Sequence, residues 1–425
     1  VNTTAPIRRF LGQFNLLSWN LVGFGAGGTV ARVLDLGTGI IIVRSIPPES
    51  YASYGLMVAT VPVFSMVLTS GVLPTLWSYA ARRDCTEAYL TAIRTNAATS
   101  LHQENRWLYC VFLFISLLLM MQVAEGLFQI AFGAFVIVAL SIVGAHQTVN
   151  DAVLQLGHRQ MAVVGGALIQ SCVRLAALPL LSIQYQAANL MMATATIAVL
   201  LNYAFCRRRL RSAVESRSDM ALDFSSEVRS IRRRSIPTDI FQAASGQFYY
   251  WALAFFAGPV AVAGFAAITR LGQLMFPLTL LFRGFFVPGF AKLKNVTSLQ
   301  RYFFALLFLT AIATAPIVSI PLLWPEYVLK VLGPHYIHLA DALVVYSAGV
   351  LFWVVGDLAD QLLRSRGLMQ PPIWSVTLDS IAFLFPLILA GEVTVLLTFW
   401  SFLCIASVRL TRIVCFALLS LRRGK

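Results

Sequence analysis

The feature that most constrains this chain is the regular return of apolar stretches about twenty residues long. They fall near residues 17–43, 53–80, 107–124, 127–149, 161–183, 188–206, 238–257, 260–290, 302–322, 340–362, 371–390 and 392–416. In the hydrocarbon core of a bilayer every backbone amide needs a partner within the protein, so such stretches fold as helices or as strands of a closed barrel. Their length, and the lack of strict alternation, predict helices. The expected fold is an all-α integral membrane protein with about twelve transmembrane helices. Composition agrees, since 58% of the 425 residues are hydrophobic and 12% charged. Soluble domains carry roughly 25% charged residues, and halving that leaves too little polar surface to coat a globule in water.

Lys and Arg predict the orientation. With a cytoplasmic N-terminus, the cytoplasmic segments hold Arg8, Arg9, Arg82, Arg83, Arg94, Arg106, Arg159 and a cluster between Arg207 and Arg234. They also hold Lys292, Lys294, Arg301, Arg364, Arg366, Arg422, Arg423 and Lys425, while the opposite side has little beyond Arg44 and Lys330. Positively charged loops stay inside, so both termini are expected in the cytoplasm. The net charge of +14 then means contact with anionic lipid headgroups. Nucleic acid is not an expected partner, because no basic patch is interleaved with aromatics in a soluble domain. The start, VNTTAPIRRFLGQFNLLSWN, lacks a small-residue cleavage site and reads as a first spanning helix rather than a signal peptide.

The chain divides at its longest polar segment. Residues 1–206 and 238–425 are expected to form two pseudo-symmetric six-helix bundles, joined by a basic cytoplasmic linker at 207–237. An offset of 207 residues lays Ala152 on Ala359, Leu156 on Leu363, Arg159 on Arg366 and Pro179 on Pro386. Segments six spans apart share orientation, the pattern of a parallel repeat.

Ionisable residues inside the apolar stretches are the functional candidates, because an ionised side chain at mid-bilayer costs at least about 2.5–3.5 kcal/mol. Arg32 and Asp35 lie three apart on one helix face in the Gly-rich first span. They form either a self-neutralising packing pair or a cation facing a cavity with Asp35 tuning it. Arg270 and Arg283 lie thirteen apart in the eighth span, roughly 20 Å along a helix, with Gln273 near Arg270 and Pro277 and Pro288 as bends. For both arginines snorkelling to an interface is the competing reading. Arg174 is deeper, and structural pairing suits it. Asp357, Asp360 and Asp379 read as helix-to-helix hydrogen bonding or as proton or cation coupling sites. Asp151 and His146 are expected near the interface.

Enzyme signals are lacking. The sequence has no Walker loop, so ATP is not the expected energy source, and its five His residues show no metal-ligand spacing. The six scattered cysteines read as small core residues, not as a disulfide framework or zinc site. No cofactor is expected.

Several stretches resemble the polysaccharide transporter branch of the multidrug/oligosaccharidyl-lipid/polysaccharide exporter superfamily, the Wzx-type O-antigen flippases. IIIVRSIPPESYASYGLMVATVPVFSMVLTSGVLPTLWSYAARR looks like that branch's first loop and second helix, with Tyr54-Gly55 as its aromatic-Gly pair. VLKVLGPHYIHLADALVVYSAG is similar to its Gly-Pro-x-Tyr stretch, and LQLGHRQ and LLRSRGL to its repeated Gly/basic loops. The resemblance implies two bundles facing each other in a V that opens alternately to each side of a bacterial inner membrane. It implies undecaprenyl-diphosphate-linked oligosaccharide as substrate, in O-antigen, lipopolysaccharide or other surface polysaccharide synthesis. Arg32, Arg270 and Arg283, with Gln273, would meet the diphosphate headgroup, since a pyrophosphate crossing a dry core needs cations to replace its water. Asp35 and Asp379 would couple transport to a proton or sodium gradient or to the membrane potential. Membrane lipids, a polysaccharide polymerase and a chain-length regulator are the implied partners. A drug/cation antiporter of the same superfamily is the alternative, kept open by Asp35 and Asp379, and a polytopic enzyme of glycan assembly stands behind it.

Overall fold

The computed structural model describes residues 19–76, 87–182, 187–211, 224–275 and 296–422, apart from positions 125, 158, 367 and 369, with a few more residues between 278 and 293. The described residues form helices and short connections, with no strand among them. The first half contains α1 (Trp19–Ser45), α2 (Pro48–Thr69), α3 (Glu87–Glu104), α4 (Arg106–Met121), α5 (Leu127–Leu156), α6 (Gln160–Ala176) and α7 (Ala187–Arg211). The second contains α8 (Phe224–Phe256), α9 (Pro259–Leu271), α10 (Val296–Leu323), α11 (Pro325–Leu332), α12 (Ala340–Arg364), α13 (Pro372–Ala390) and α14 (Val395–Arg422). Short 3₁₀ turns follow α6, α9 and α11.

Local chemistry explains the boundaries. Pro48, Pro259, Pro325 and Pro372 each open a helix, where a missing N–H costs nothing. Gly391 closes α13 in the left-handed region at φ 69°, its N–H donating to the Leu387 carbonyl. Hydroxyls inside the helices bond back one turn, as Thr60 does to Leu56 O at 2.7 Å and Thr310 to Leu306 O at 2.8 Å, which satisfies them without water. Large apolar side chains such as Phe135, Phe308 and Ile388 are exposed on the helix surfaces, as a lipid-facing exterior allows.

By length and hydropathy nine helices among the described residues can cross a membrane, or ten if the bent pair α3–α4 counts as one span. α8 does not pass because its first turns are basic and its later turns carry Gln242, Ser245, Gln247, Tyr249 and Tyr250, and Pro259–Met275 does not because it is short. With these two the element order reaches the twelve positions expected. Two boundaries differ from expectation. The expected third span, 107–124, corresponds to α4, but a further helix from Glu87 precedes it and the pair bends by 60°. The segment 207–237 is not a free linker throughout: α7 runs to Arg211 and α8 starts at Phe224, so helix occupies both its ends, and residues 212–223 lie outside the described residues. Among the described cysteines only Cys206 is buried, so the core role expected for all six holds for that one.

The bend has a definite cause. Asn105 is fully buried between α3 and α4, and its Nδ2 donates to Leu68 O at 3.0 Å and to Leu101 O at 2.7 Å. Its Oδ1 accepts from the guanidinium of Arg232 on α8, while Arg229 pairs with Glu104 at 3.2 Å. The basic start of α8 is thereby bolted to the first half. Asn105→Ala should cost about 2 kcal/mol, because Leu68 O and Arg232 lose a partner in a buried place; thermal unfolding in detergent would measure it.

The repeat is visible in the packing. In the first half α4 packs on α5, α5 on α7 and α6 on α7; in the second, α10 packs on α12, α12 on α14 and α13 on α14, the same pairs at the 207-residue offset. The symmetry breaks at two helices. α1 lies along α6, and α2 along α5, but their counterparts α8 and α9 barely touch α13 and α12. Both lie instead against α2 of the first half. Their departure opens space inside the second half.

Candidate functional site

That space is a cavity of about 620 Å³, bounded by α8, α9, α12 and α14, with Met66 of α2 on its wall. Its walls are aromatic. Phe265 stacks on Phe399 with centroids 4.7 Å apart, and Tyr346 meets Phe399 at 5.0 Å. Tyr250 Oη lies 2.8 Å from Thr269 Oγ1, and Tyr346 Oη donates to Thr269 O at 3.2 Å. Gly272 is required here, since a Cβ on it would overlap the Tyr346 hydroxyl. Gln273 lines the same wall.

One charged group sits among the rings. Arg409, midway along α14, places its guanidinium 4.5 Å from the Trp353 ring centre, within cation–π range. Asp357 lies 3.8 Å and Asp360 3.7 Å from the same guanidinium. Gln361 donates to Asp357 at 2.6 Å, and Arg364 pairs with Asp360 at 2.8 Å. The carboxylates come from successive turns of α12 and hold Arg409 from one side, while Trp353 supports its flat face. Asp357 and Arg409 both reach the cavity. The result is an amphipathic chamber: aromatic walls with one carboxylate–guanidinium group.

No protein-family model and no curated protein matches the sequence. Among solved structures it is similar to an inward-facing multidrug resistance MATE family transporter of the MOP superfamily, with a TM-score of 0.70 at 12% identity over 93% of this chain and 98% of that one. A eukaryotic MATE transporter gives 0.69 at 12% identity over 98% of each chain. An outward-facing MATE family transporter gives 0.64 at 13% identity over 95% of this chain and 94% of that one. The fold is that of the MATE transporters. At this level of identity the likeness extends to the fold alone.

The residues singled out in the sequence fall into four places rather than one. Asp35 sits between two arginines, 3.9 Å from Arg32 and 3.6 Å from Arg174 on α6. The group joins α1 to α6 within the first half, where Ser171 also donates to Ala31 O at 3.0 Å. Arg270 lies at the junction of the halves. From the last turn of α9 its Nε donates to Tyr51 Oη on α2 at 2.6 Å, and its Cζ is 5.5 Å from the ring centres of both Tyr51 and Tyr54. A Cβ at Gly39 of α1 would overlap the same guanidinium, so α1 also closes on it. Arg32 is seven residues from Gly39, roughly 10 Å along α1, and does not join Arg270 in a shared cationic patch. Asp379 is buried and accepts from Arg412 at 3.2 Å, between α13 and α14. Arg283, with Pro277 and Pro288, lies outside the described residues. Of the sequence candidates among the described residues, Gln273 and Asp357 line the chamber.

Arg409 and Trp353 were missed. The signal that carries them is the repeat itself: the 207-residue offset lays Asn150 on Asp357 and Asn202 on Arg409, pairing polar residues inside apolar helices.

Proposed function

We propose that the chain is an alternating-access transporter, and that its cargo is an undecaprenyl-diphosphate-linked oligosaccharide moved across a bacterial inner membrane with both termini cytoplasmic. The observation that carries this reading is the aromatic chamber with Arg409 on its wall. Aromatic faces suit the apolar faces of sugar rings, and a guanidinium can meet a phosphate through two parallel hydrogen bonds. The volume of about 620 Å³ lies within the roughly 300–1,000 Å³ of small-molecule sites. It fits the sugars nearest the diphosphate while the polyprenyl tail stays in lipid. The basic face would draw an anionic headgroup by charge, and an ion gradient or the membrane potential would supply the work. A polymerase and a chain-length regulator would then receive the product.

A second reading has its own observation: Asp357 lies among aromatic rings, a setting that also suits an amphipathic organic cation. The purified chain in liposomes separates the two. A fluorescent undecaprenyl-diphosphate disaccharide should become inaccessible to an external quencher or lectin at a rate set by the protein, and Arg409→Ala should reduce that rate at least tenfold. Cation-dye export without lipid-linked saccharide flipping would transfer the assignment to the second reading.

A further inference from the structure

A polar cluster lies in the first half, apart from the aromatic chamber. Asp151 and Gln147 stand one turn apart on α5, and Gln147 Nε2 donates to Asp151 Oδ1 at 2.7 Å and to Asn202 Oδ1 of α7 at 3.2 Å. Asn202 Nδ2 donates onward to Gln170 Oε1 of α6 at 3.0 Å, and Cys206 Sγ donates to Asn202 Oδ1 at 3.4 Å. Gly166 lets α6 approach, since a Cβ there would overlap Asn202 Oδ1. Gln147 is more than nine-tenths buried, yet its Oε1 has no hydrogen-bond donor. An orphaned buried acceptor of this kind calls for an explanation.

The second half supplies the comparison. At the 207-residue offset Asn202 corresponds to Arg409, whose guanidinium serves Asp357 and Asp360. At the same offset Asn150 falls on Asp357 and Asp151 on Leu358, so the first half carries its carboxylate one position along and has an amide where the second half has its fixed cation. The charged and titratable groups around it are Cys206 and Arg207 on α7, His146 on α5 and Arg94 on α3. Arg94 donates to Asn150 Oδ1 at 2.9 Å, Arg207 lies over the Tyr203 ring, and His146 faces that same ring. Among the described residues no Lys, Arg or His pairs with Asp151.

We infer that Asp151 and Gln147 form a reversible proton-binding site, distinct from the cargo chamber. A carboxylic acid and a primary amide pair through two parallel hydrogen bonds. One of these, N–H to Oδ1, is in place. Adding one proton to Oδ2 makes an O–H that donates to the orphaned Gln147 Oε1, and the Cys206 thiol, which bears on the same carboxylate and on Gln147 Nε2, adjusts with it. The proton neutralises a carboxylate that has no fixed counter-cation and needs no added volume. The inference is independent of what the chamber carries.

Infrared difference spectra of the full chain in lipid, recorded across the neutral pH range, test it without transport. The wild type should show a protonated-carboxyl band that grows toward acid. Asp151→Asn, nearly isosteric and able to pair amide to amide with Gln147, should abolish the band and remove the corresponding pH dependence of the melting temperature. Gln147→Leu should keep the band but shift its position and its midpoint. A band that survives Asp151→Asn, or its absence from the wild type, overturns the proposal. So does a melting temperature that responds to sodium against choline at constant pH and loses that response in Asp151→Asn.

Discussion

Arg409→Ala should destabilise the second half by about 3 kcal/mol, near the low end of the range for removing one member of a buried ion pair. The arginine side chain is 10% exposed, and those of Asp357 and Asp360 are 21% and 20% exposed. Removing the guanidinium leaves two carboxylates on successive turns of α12 without the charge between them, and it strips Trp353 of its partner. Arg364 stays 2.8 Å from Asp360 and Gln361 stays 2.6 Å from Asp357, which holds the loss below the upper end. Arg409→Lys should recover part of it, since an ammonium restores charge but neither the planar stack nor the reach to both acids. Combining Arg409→Ala with Asp357→Asn should cost less than the sum of the two single changes, because the second removes the charge that the first exposed. Thermal unfolding of the wild type and the four variants in one detergent reads all of this. A melting temperature unchanged in Arg409→Ala would sink the account of this network.

Much of the fold was legible because hydropathy and charge act over whole segments. The membrane class follows from twenty-residue apolar stretches, and the pairing of helices within each half follows the 207-residue offset. Local boundaries failed where tertiary contacts overrule composition. α3 reads as polar, with Thr, Asn and His along it, yet Tyr89, Ile93, Ala97 and Leu101 are buried and Asn105 turns the chain into the apolar α4. The basic start of α8 reads as a linker, yet Arg232 finds buried acceptors at Asn105 and Glu104. The site was less legible for a related reason. Sequence marks a charge in an apolar stretch but not the partner that decides its role. Arg32 and Arg270 look alike in one dimension; in three, one meets a carboxylate within its own half and the other two tyrosines of the opposite half. Arg409 looks like one more basic residue of α14 until Asp357, Asp360 and Trp353 are seen around it.

The junction at Arg270 should have the other large effect, on the balance between open and closed arrangements of the halves. Its side chain leaves α9 and ends between Tyr51 and Tyr54 of α2, closed over by Gly39 of α1. A desolvated cation–π contact contributes about 2 kcal/mol, and a hydrogen bond to a charged group about 1.5–3 kcal/mol. These contributions overlap, so losing both should shift the equilibrium by about 3 kcal/mol, on the order of 100-fold. Ala266 faces Gly55 across the same junction, a Cβ on that glycine lying 3.0 Å from the alanine's. In a background cleared of native cysteines, Ala266→Cys should resist a membrane-impermeant maleimide while Arg270 is present and react rapidly with Arg270→Ala. Tyr51→Phe removes the hydrogen bond but keeps the ring, so its effect should be several-fold smaller. Gly39→Val should act in the same direction as Arg270→Ala by crowding the guanidinium out from between the rings. Equal labelling in all four backgrounds would mean that the halves are held by the apolar contact of α2 with α9, and that Arg270 is a passenger in it. Graded labelling, greatest for Arg270→Ala, would make a residue expected to hold a diphosphate the one that holds the two halves together instead.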